Sequence, residues 1–258
     1  MEPLTPAGAA AVFGLLADET RCAIIAALAR SDERLAELAL HVEQAPDTVT
    51  RALDALQEVG LVTTRRSDAS PDDLYFQLDL EQLQHRFFAA GTALHPALVP
   101  DLPAKQPAPS APRPRVLFLC THNSARSQMA EALLRTASHG EVEAFSAGSQ
   151  PGQVHPLAIE SMAAMHIDIS AQRSKHYDEY LNDSFDYVIT VCDRAREVCP
   201  VFPGENQVIH WSIPDPAAIE DPAEARRAFR QAATQLMTRI RYLHILIERR
   251  RNQQPVHA

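Results

Sequence analysis

The sequence predicts two domains of different class. The first is a mainly α winged helix-turn-helix, and the second a doubly wound α/β domain with a four-stranded parallel sheet. Three observations carry the prediction. Prolines at 96, 100, 103, 107, 109, 112 and 114 form a stretch that can be neither helix nor central strand, so it reads as a semi-rigid extended linker. Ahead of it, apolar residues recur with helical spacing. After it, short apolar runs alternate with helical stretches. The chain of 258 residues has room for two domains, at roughly 100–200 residues each. Their expected bounds are 1–95 and 115–258, with 96–114 between them.

In the first half, Val12, Leu15 and Leu16, then Ile24, Ile25 and Leu28, follow a helical period on either side of a break at Asp18-Glu19-Thr20. Cys22, on the second of these helices, reads as a small buried hydrophobe. Leu35, Leu38, Ala39 and Val42 share one face of a third helix. After a short turn, Pro46 suits the first position of a fourth, whose buried stripe is Val49, Leu53, Leu56 and Val59. Gly60 stands where a helix C-terminal cap belongs. Residues 61–79 read as two strands around a turn at Ser67–Asp73. A helix-turn-helix followed by a hairpin is a winged helix.

Over roughly residues 8–90, this half resembles the arsenic- and metal-responsive (ArsR-type) family of winged-helix repressors. LADETRCAIIAAL, LAELALHVEQAPDTVTRALDALQEVGLV and the wing carry the resemblance. It implies a DNA-binding transcriptional regulator, homodimeric through this domain. Operator contacts would come from Thr48, Thr50 and Arg51 on the second helix of the pair, which also exposes Asp47 and Asp54, and from Arg65 and Arg66 on the wing. Residues 1–97 carry 7 Arg and no Lys against 15 acids, a net of −8. Such a charge opposes DNA at long range, so binding would rest on these few local cations. A dimerisation or protein-contact module is the other reading of the same pattern.

In the second half, VLFLC (116–120) is a buried strand ending at Cys120, followed by a tight loop and a helix from about Arg126. Amide groups of Thr121, His122, Asn123, Ser124, Ala125 and Arg126 can converge on a tetrahedral oxyanion, as a nest at a helix terminus does. The Arg126 guanidinium adds a two-pronged grip. The same positive field favours a nucleophilic thiolate at Cys120, to which Ser127 can donate a hydrogen bond. Asn123 is a residue type that tolerates left-handed backbone, and His122 reads as solvent-facing or helix-capping. Further strands are read at 145–149, 186–192 and 207–216, and helices at 155–166 and 222–250. Cys120, Cys192 and Asp215 then fall at the carboxyl ends of strands, where such folds place their loops. Trp211 reads as packing, and the cations ending RYLHILIERRR suit a helix dipole.

Residues 115–250 resemble the low-molecular-weight tyrosine phosphatase fold through CTHNSARS and the later IPDP. Within it they look most like the thioredoxin-coupled arsenate reductases, through VITVCDRAREVCPVFPG. The resemblance implies that Cys120 attacks arsenate while Arg126 and the loop stabilise the oxyanion, and that Asp215 protonates the leaving oxygen. Cys192 would then form a disulfide with Cys120, and Cys199 would carry it outward to a 192–199 bond that thioredoxin reduces. Residues seven apart in a helix are separated by about 10.5 Å along its axis, whereas a disulfide needs Cα atoms within roughly 4.4–6.8 Å. Residues 193–198 are therefore expected to unwind on oxidation, and the polar DRAREV segment is not expected to be deeply buried. Ala217-Ala218 follows Asp215-Pro216 where tyrosine phosphatases of this fold tend to place an aromatic, which makes phosphotyrosine the poorer substrate. A low-molecular-weight phosphatase with a winged-helix module is the alternative function.

Composition excludes other classes. Four cysteines at 22, 120, 192 and 199 are too few for a disulfide scaffold and lack zinc-finger spacing. Neither a metal nor a cofactor is expected. A net charge of −9 disfavours a nucleic-acid binder acting through bulk positive charge. The N-terminus has acidic residues rather than a basic leader region, and no apolar run reaches 18 residues. The expected setting is therefore the cytoplasm, with no membrane partner.

Overall fold

The structure, a computed structural model, describes residues 5–95 and 112–253. The proline-rich stretch from 96 to 111 lies outside the described residues. The chain divides into two compact units, taken in turn.

The first unit runs α1 (Pro6–Leu16), α2 (Glu19–Leu28), β1 (Glu33–Arg34), α3 (Leu35–His41), α4 (Pro46–Glu58), β2 (Val62–Arg66), β3 (Leu74–Leu78) and α5 (Leu80–Leu94). The predicted break narrows to Ala17-Asp18. Asp18 is the N-cap of α2, its carboxylate accepting from the Arg21 amide at 2.8 Å, so Glu19 and Thr20 are already helical. Pro46 opens α4, and Gly60 past its end has a φ of +73°, the left-handed backbone that glycine adopts without strain. Val49, Leu53 and Leu56 are buried in α4 and pack with Ile24, Leu28 and Leu38 in one core. β1, β3 and β2 form an antiparallel sheet in that order, with Thr64 opposite Phe76. The sequence reading missed α5, which packs on α1, and the two-residue β1. Cys22 is exposed, not buried. The inward face of α2 is set by Ile24, Ala27 and Leu28. Position 22 lies about 200° around the helix from 24.

The second unit runs β4 (Arg115–Cys120), α6 (Arg126–Ala137), β5 (Glu143–Gly148), α7 (Pro156–Ala163), β6 (Tyr187–Thr190), α8 (Asp193–Glu197), β7 (Gln207–His210) and α9 (Pro222–Gln253). The strands are all parallel in the order β5-β4-β6-β7, the doubly wound arrangement. The third and fourth strands are shorter than the apolar runs suggested. The chain leaves β6 after Thr190, and Cys192 becomes the N-cap of α8. Val116, Phe118, Met129, Ile189, Phe229 and Leu236 are fully or nearly fully buried in the core. Trp211 packs beside Phe118, their ring centroids 6.0 Å apart. Register sets Cys120 opposite Gly148, Leu119 opposite Thr190, and Thr190 opposite His210. The carboxyl edge of the sheet therefore gathers the residues that matter next.

Candidate active site

Cys120 ends the central strand β4 and is buried. Its Sγ lies 2.9 Å from Ser127 Oγ and accepts from the Asn123 amide at 3.2 Å. Asn123 takes a φ of +46° and is fully buried. Its amide nitrogen donates to Ser127 Oγ (2.8 Å) and Ser146 Oγ (2.9 Å). Its side-chain oxygen accepts from Gln128 Nε2 (2.9 Å) and the Lys175 amide (2.7 Å). Ser146 Oγ in turn donates to Glu131 Oε2 at 2.6 Å, and Lys175 Nζ reaches the same oxygen at 3.0 Å. Because Asn123 donates to both serines, Ser127 has its own hydroxyl hydrogen left for the Cys120 sulfur.

The outer side of the loop is held by backbone. Thr121, His122 and Ser124 carbonyls accept from the Gln150, Gly152 and His155 amides at 2.9, 3.0 and 2.8 Å. His122 points its exposed side chain outward and caps nothing; Ala125 is the N-cap of α6 and makes no side-chain cap bond. Gly148 lies under the loop. A Cβ there would stand 2.6 Å from the Thr121 carbonyl oxygen and 2.8 Å from both the Cys120 oxygen and the Asn123 nitrogen. Gly148→Ala must therefore displace the loop backbone, and hydrolysis of an aryl phosphate should fall at least about 100-fold. Steady-state kinetics on the variant, with its fold checked by circular dichroism, measures this.

Arg126 opens α6 and is 5% exposed. Its guanidinium donates to the Ile213 carbonyl at 3.0 Å and pairs with Asp215 Oδ2 at 2.9 Å. Burial works against its charge, but the Cys192 and Cys120 sulfurs and the Asp215 carboxylate outweigh burial and hold it above the ordinary arginine value. Cys192 is buried, with Sγ 3.4 Å from Thr121 Oγ1 and 3.4 Å from the Ala195 amide that it caps. Burial, and then the neighbouring Cys120, push its thiol up, while Arg126 pulls the other way. Cys199 lies two residues past the end of α8 and is half-buried. Together with Cys120, Ser149, Tyr177 and Val198 it lines one shallow cleft.

Burial alone pushes the Cys199 thiol up to about 11. A raised value means that the folded protein keeps this proton through neutral pH. Alkylation of Cys199 in the reduced protein should therefore rise about tenfold per unit from about pH 8 to 10 and level off only near 11. A plateau near the ordinary thiol value would contradict this burial.

The structure thus brings together Cys120, Thr121, Asn123, Arg126, Ser127, Cys192 and Asp215, with Cys199 on the same cleft. One expectation is corrected: DRAREV is not uniformly superficial, since Asp193 is fully buried and Ala195 nearly so, while Arg194 and Glu197 are exposed. The sequence reading missed Gly148, Ser146, Glu131 and Lys175. The first two lie in FSAGS, read there as strand and nothing more. In the first unit, α4 exposes Thr50 and Arg51, while Thr48 is half-buried. Arg51 bonds to the Asp47 carbonyl and Thr48 hydroxyl at 3.3 and 3.4 Å. On β2, Arg66 is exposed and Arg65 half-buried.

A parallel sheet whose carboxyl edge carries a cysteine, a left-handed loop residue and a buried guanidinium at a helix start defines a class: α/β enzymes that hold a tetrahedral oxyanion against a thiol. Comparison narrows it. Residues 115–253 match the low molecular weight phosphotyrosine protein phosphatase family, to which the chain belongs. Residues 18–64 match the arsR family of bacterial regulatory proteins, so the chain fuses a helix-turn-helix domain of that family to the phosphatase-fold domain. A protein named arsenate reductase from Halalkalibacterium halodurans is 39% identical over 127 residues, 49% of this chain and 91% of the relative. Arsenate reductase 1 of Bacillus cereus is 41% identical over 105 residues, 41% of this chain and 78% of the relative. The crystal structure of an arsenate reductase from Archaeoglobus fulgidus is 30% identical with a TM-score of 0.42, over 50% of this chain and 98% of that one. Among the described residues, no helix is long and apolar enough to cross a membrane.

Proposed function

We propose that this chain reduces arsenate to arsenite in the cytoplasm, with Cys120, Cys192 and Cys199 as a thiol relay, and that its first domain is a DNA-binding regulator of the same response. The observation that carries the enzymatic reading is a second buried thiol at the nucleophile's loop. Cys192 Sγ touches the hydroxyl of Thr121, the residue after Cys120. A phosphatase needs one thiol and a water; a two-electron reductase needs a second sulfur. The curated relatives named arsenate reductase support the same reading.

The Cys120 thiolate attacks arsenic, and an As–O bond breaks as Asp215 delivers a proton to the leaving oxygen, which departs as water. Arg126 and the amides of 121–126 hold the remaining oxygens. The Cys192 thiolate attacks Cys120 Sγ; an S–S bond forms, the As–S bond breaks, and its electron pair reduces arsenic from +5 to +3. Cys199 then attacks Cys192 Sγ and releases the Cys120 thiolate. Thioredoxin is the proposed reductant of the 192–199 bond, by dithiol exchange. Arsenate-dependent thioredoxin oxidation tests this; a chain that consumes reductant equally without arsenate would refute it.

For the first domain, the proposed partner is operator DNA, contacted through Thr48, Thr50, Arg51, Arg65 and Arg66. The exposed positions of Thr50, Arg51 and Arg66 support it. A homodimer through this domain is supported by Phe13, Phe87 and Leu94, large apolar residues exposed on the mutually packed α1 and α5. A gel shift with the chain's own promoter at low salt should show a retarded band that weakens steeply as salt is raised. No shift at low salt would reduce the domain to a contact module.

A further inference from the structure

The relay makes two demands on one short segment. Cys192 must stay where Cys120 can reach it, yet Cys199, seven residues on, must travel to Cys192. The side chain between them that is fully buried and charged is Asp193, the first residue of α8. Its Oδ1 accepts from Ser212 Oγ at 2.7 Å and from His210 Nε2 at 3.1 Å. His210 ends β7, is 3% exposed, and is held from its other side by Thr190 Oγ1 at 2.8 Å, at the end of β6. The start of α8 is thus tied to two strand ends. Its far end is held weakly. The Cys199 amide reaches the Arg196 carbonyl only at 3.5 Å, and Val198 and Val201 are exposed at 54% and 94%. The chain is next anchored at Phe202, which is 3% exposed with its ring centroid 5.7 Å from that of Phe185.

We propose that Asp193 is a positioning residue of the relay. Bound to Ser212 and His210, it pins the Cys192 end of α8 beside Cys120 and confines the oxidation-driven rearrangement to residues 194–201, between this pivot and Phe202. A carboxylate suits the role because it accepts both donors on one oxygen and no apolar residue could hold a buried histidine N–H. The pivot matters for the step in which Cys192 Sγ attacks Cys120 Sγ, because displacing a reacting atom by about 1 Å costs roughly 100-fold. Aryl phosphate hydrolysis, which uses Cys120 and its loop, Arg126 and Asp215 but neither Cys192 nor Cys199, makes no demand on it.

This inference rests on the proposed relay, and the test separates the two. Reduced full-length protein carrying Cys199→Ser, in which the bond cannot pass on, is mixed with arsenate for a single turnover, quenched in acid, alkylated, and mapped for the 120–192 bond; aryl phosphate hydrolysis is measured in parallel. With Asp193 and Ser212 intact, an arsenate-dependent 120–192 bond carries the relay, and its absence would overturn relay and pivot together. Asp193→Ala should form that bond at least about tenfold more slowly while hydrolysing the aryl phosphate within about threefold of wild type. Ser212→Ala, which removes one of the two donors to Oδ1 and spares the buried carboxylate, should slow the bond about threefold and decides the matter if Asp193→Ala does not fold. Bond formation in a folded variant at the rate seen with Asp193 and Ser212 intact, or equal losses in both activities, would overturn the pivot while leaving the relay intact.

Discussion

Cys192→Ser should lose arsenate turnover by roughly three orders of magnitude or more, while aryl phosphate hydrolysis stays within about threefold of wild type. The two outcomes separate because the two reactions use different parts of one site. Hydrolysis needs the Cys120 sulfur, cradled by Ser127 Oγ at 2.9 Å and the Asn123 amide at 3.2 Å, together with Arg126 and Asp215. Reduction also needs a sulfur to displace arsenic from Cys120. Serine keeps the size of the Cys192 side chain and can still cap α8 through the Ala195 amide, so the fold near Thr121 should survive. A coupled thioredoxin assay beside an aryl phosphate assay measures both. If both activities persist, the relay is wrong.

Arg126→Lys should cost both reactions about 10²- to 10³-fold in kcat/KM. The guanidinium is 5% exposed and serves two acceptors at once, the Ile213 carbonyl and Asp215. Lysine presents a point charge rather than a planar fork, so it cannot hold two oxyanion oxygens and keep these anchors. It also leaves Asp215 without the partner that orients it. Steady-state kinetics on both substrates checks this, and retention of more than about a tenth of either activity would mean that the loop amides alone bind the oxyanion.

The lines that could be read from sequence are those written locally. The run VLFLC, the spacing from Cys120 to Arg126, and the stripe Val49, Leu53, Leu56 each sit within one element, and each element formed where it was expected. Asn123 was legible as a left-handed position because its residue type and loop context agree. What escaped is what long-range contact decides. Asp193 reads as surface from its charged neighbours, but the ends of β6 and β7 enclose it and supply donors. Lys175 and Glu131 lie 44 positions apart and meet only because α6 and the loop after α7 converge behind Asn123. Gly148 looked like an ordinary strand end, and its requirement for a bare Cα appears only once the Cys120 loop lies across it. Cys22 was assigned by residue type rather than by angle, and its helix turns it outward, with Sγ donating to the Leu16 carbonyl at 2.8 Å.

In the proposed relay, arsenate is reduced by electrons drawn first from Cys120 and Cys192. Cys199→Ser stops the relay one step early and traps its first bond. After one turnover with arsenate and reductant-free quenching, disulfide mapping of this variant should find a 120–192 bond in amounts equal to the arsenite released, with Cys22 still alkylatable. Arsenite released without that bond, or a bond that includes Cys22, would contradict it.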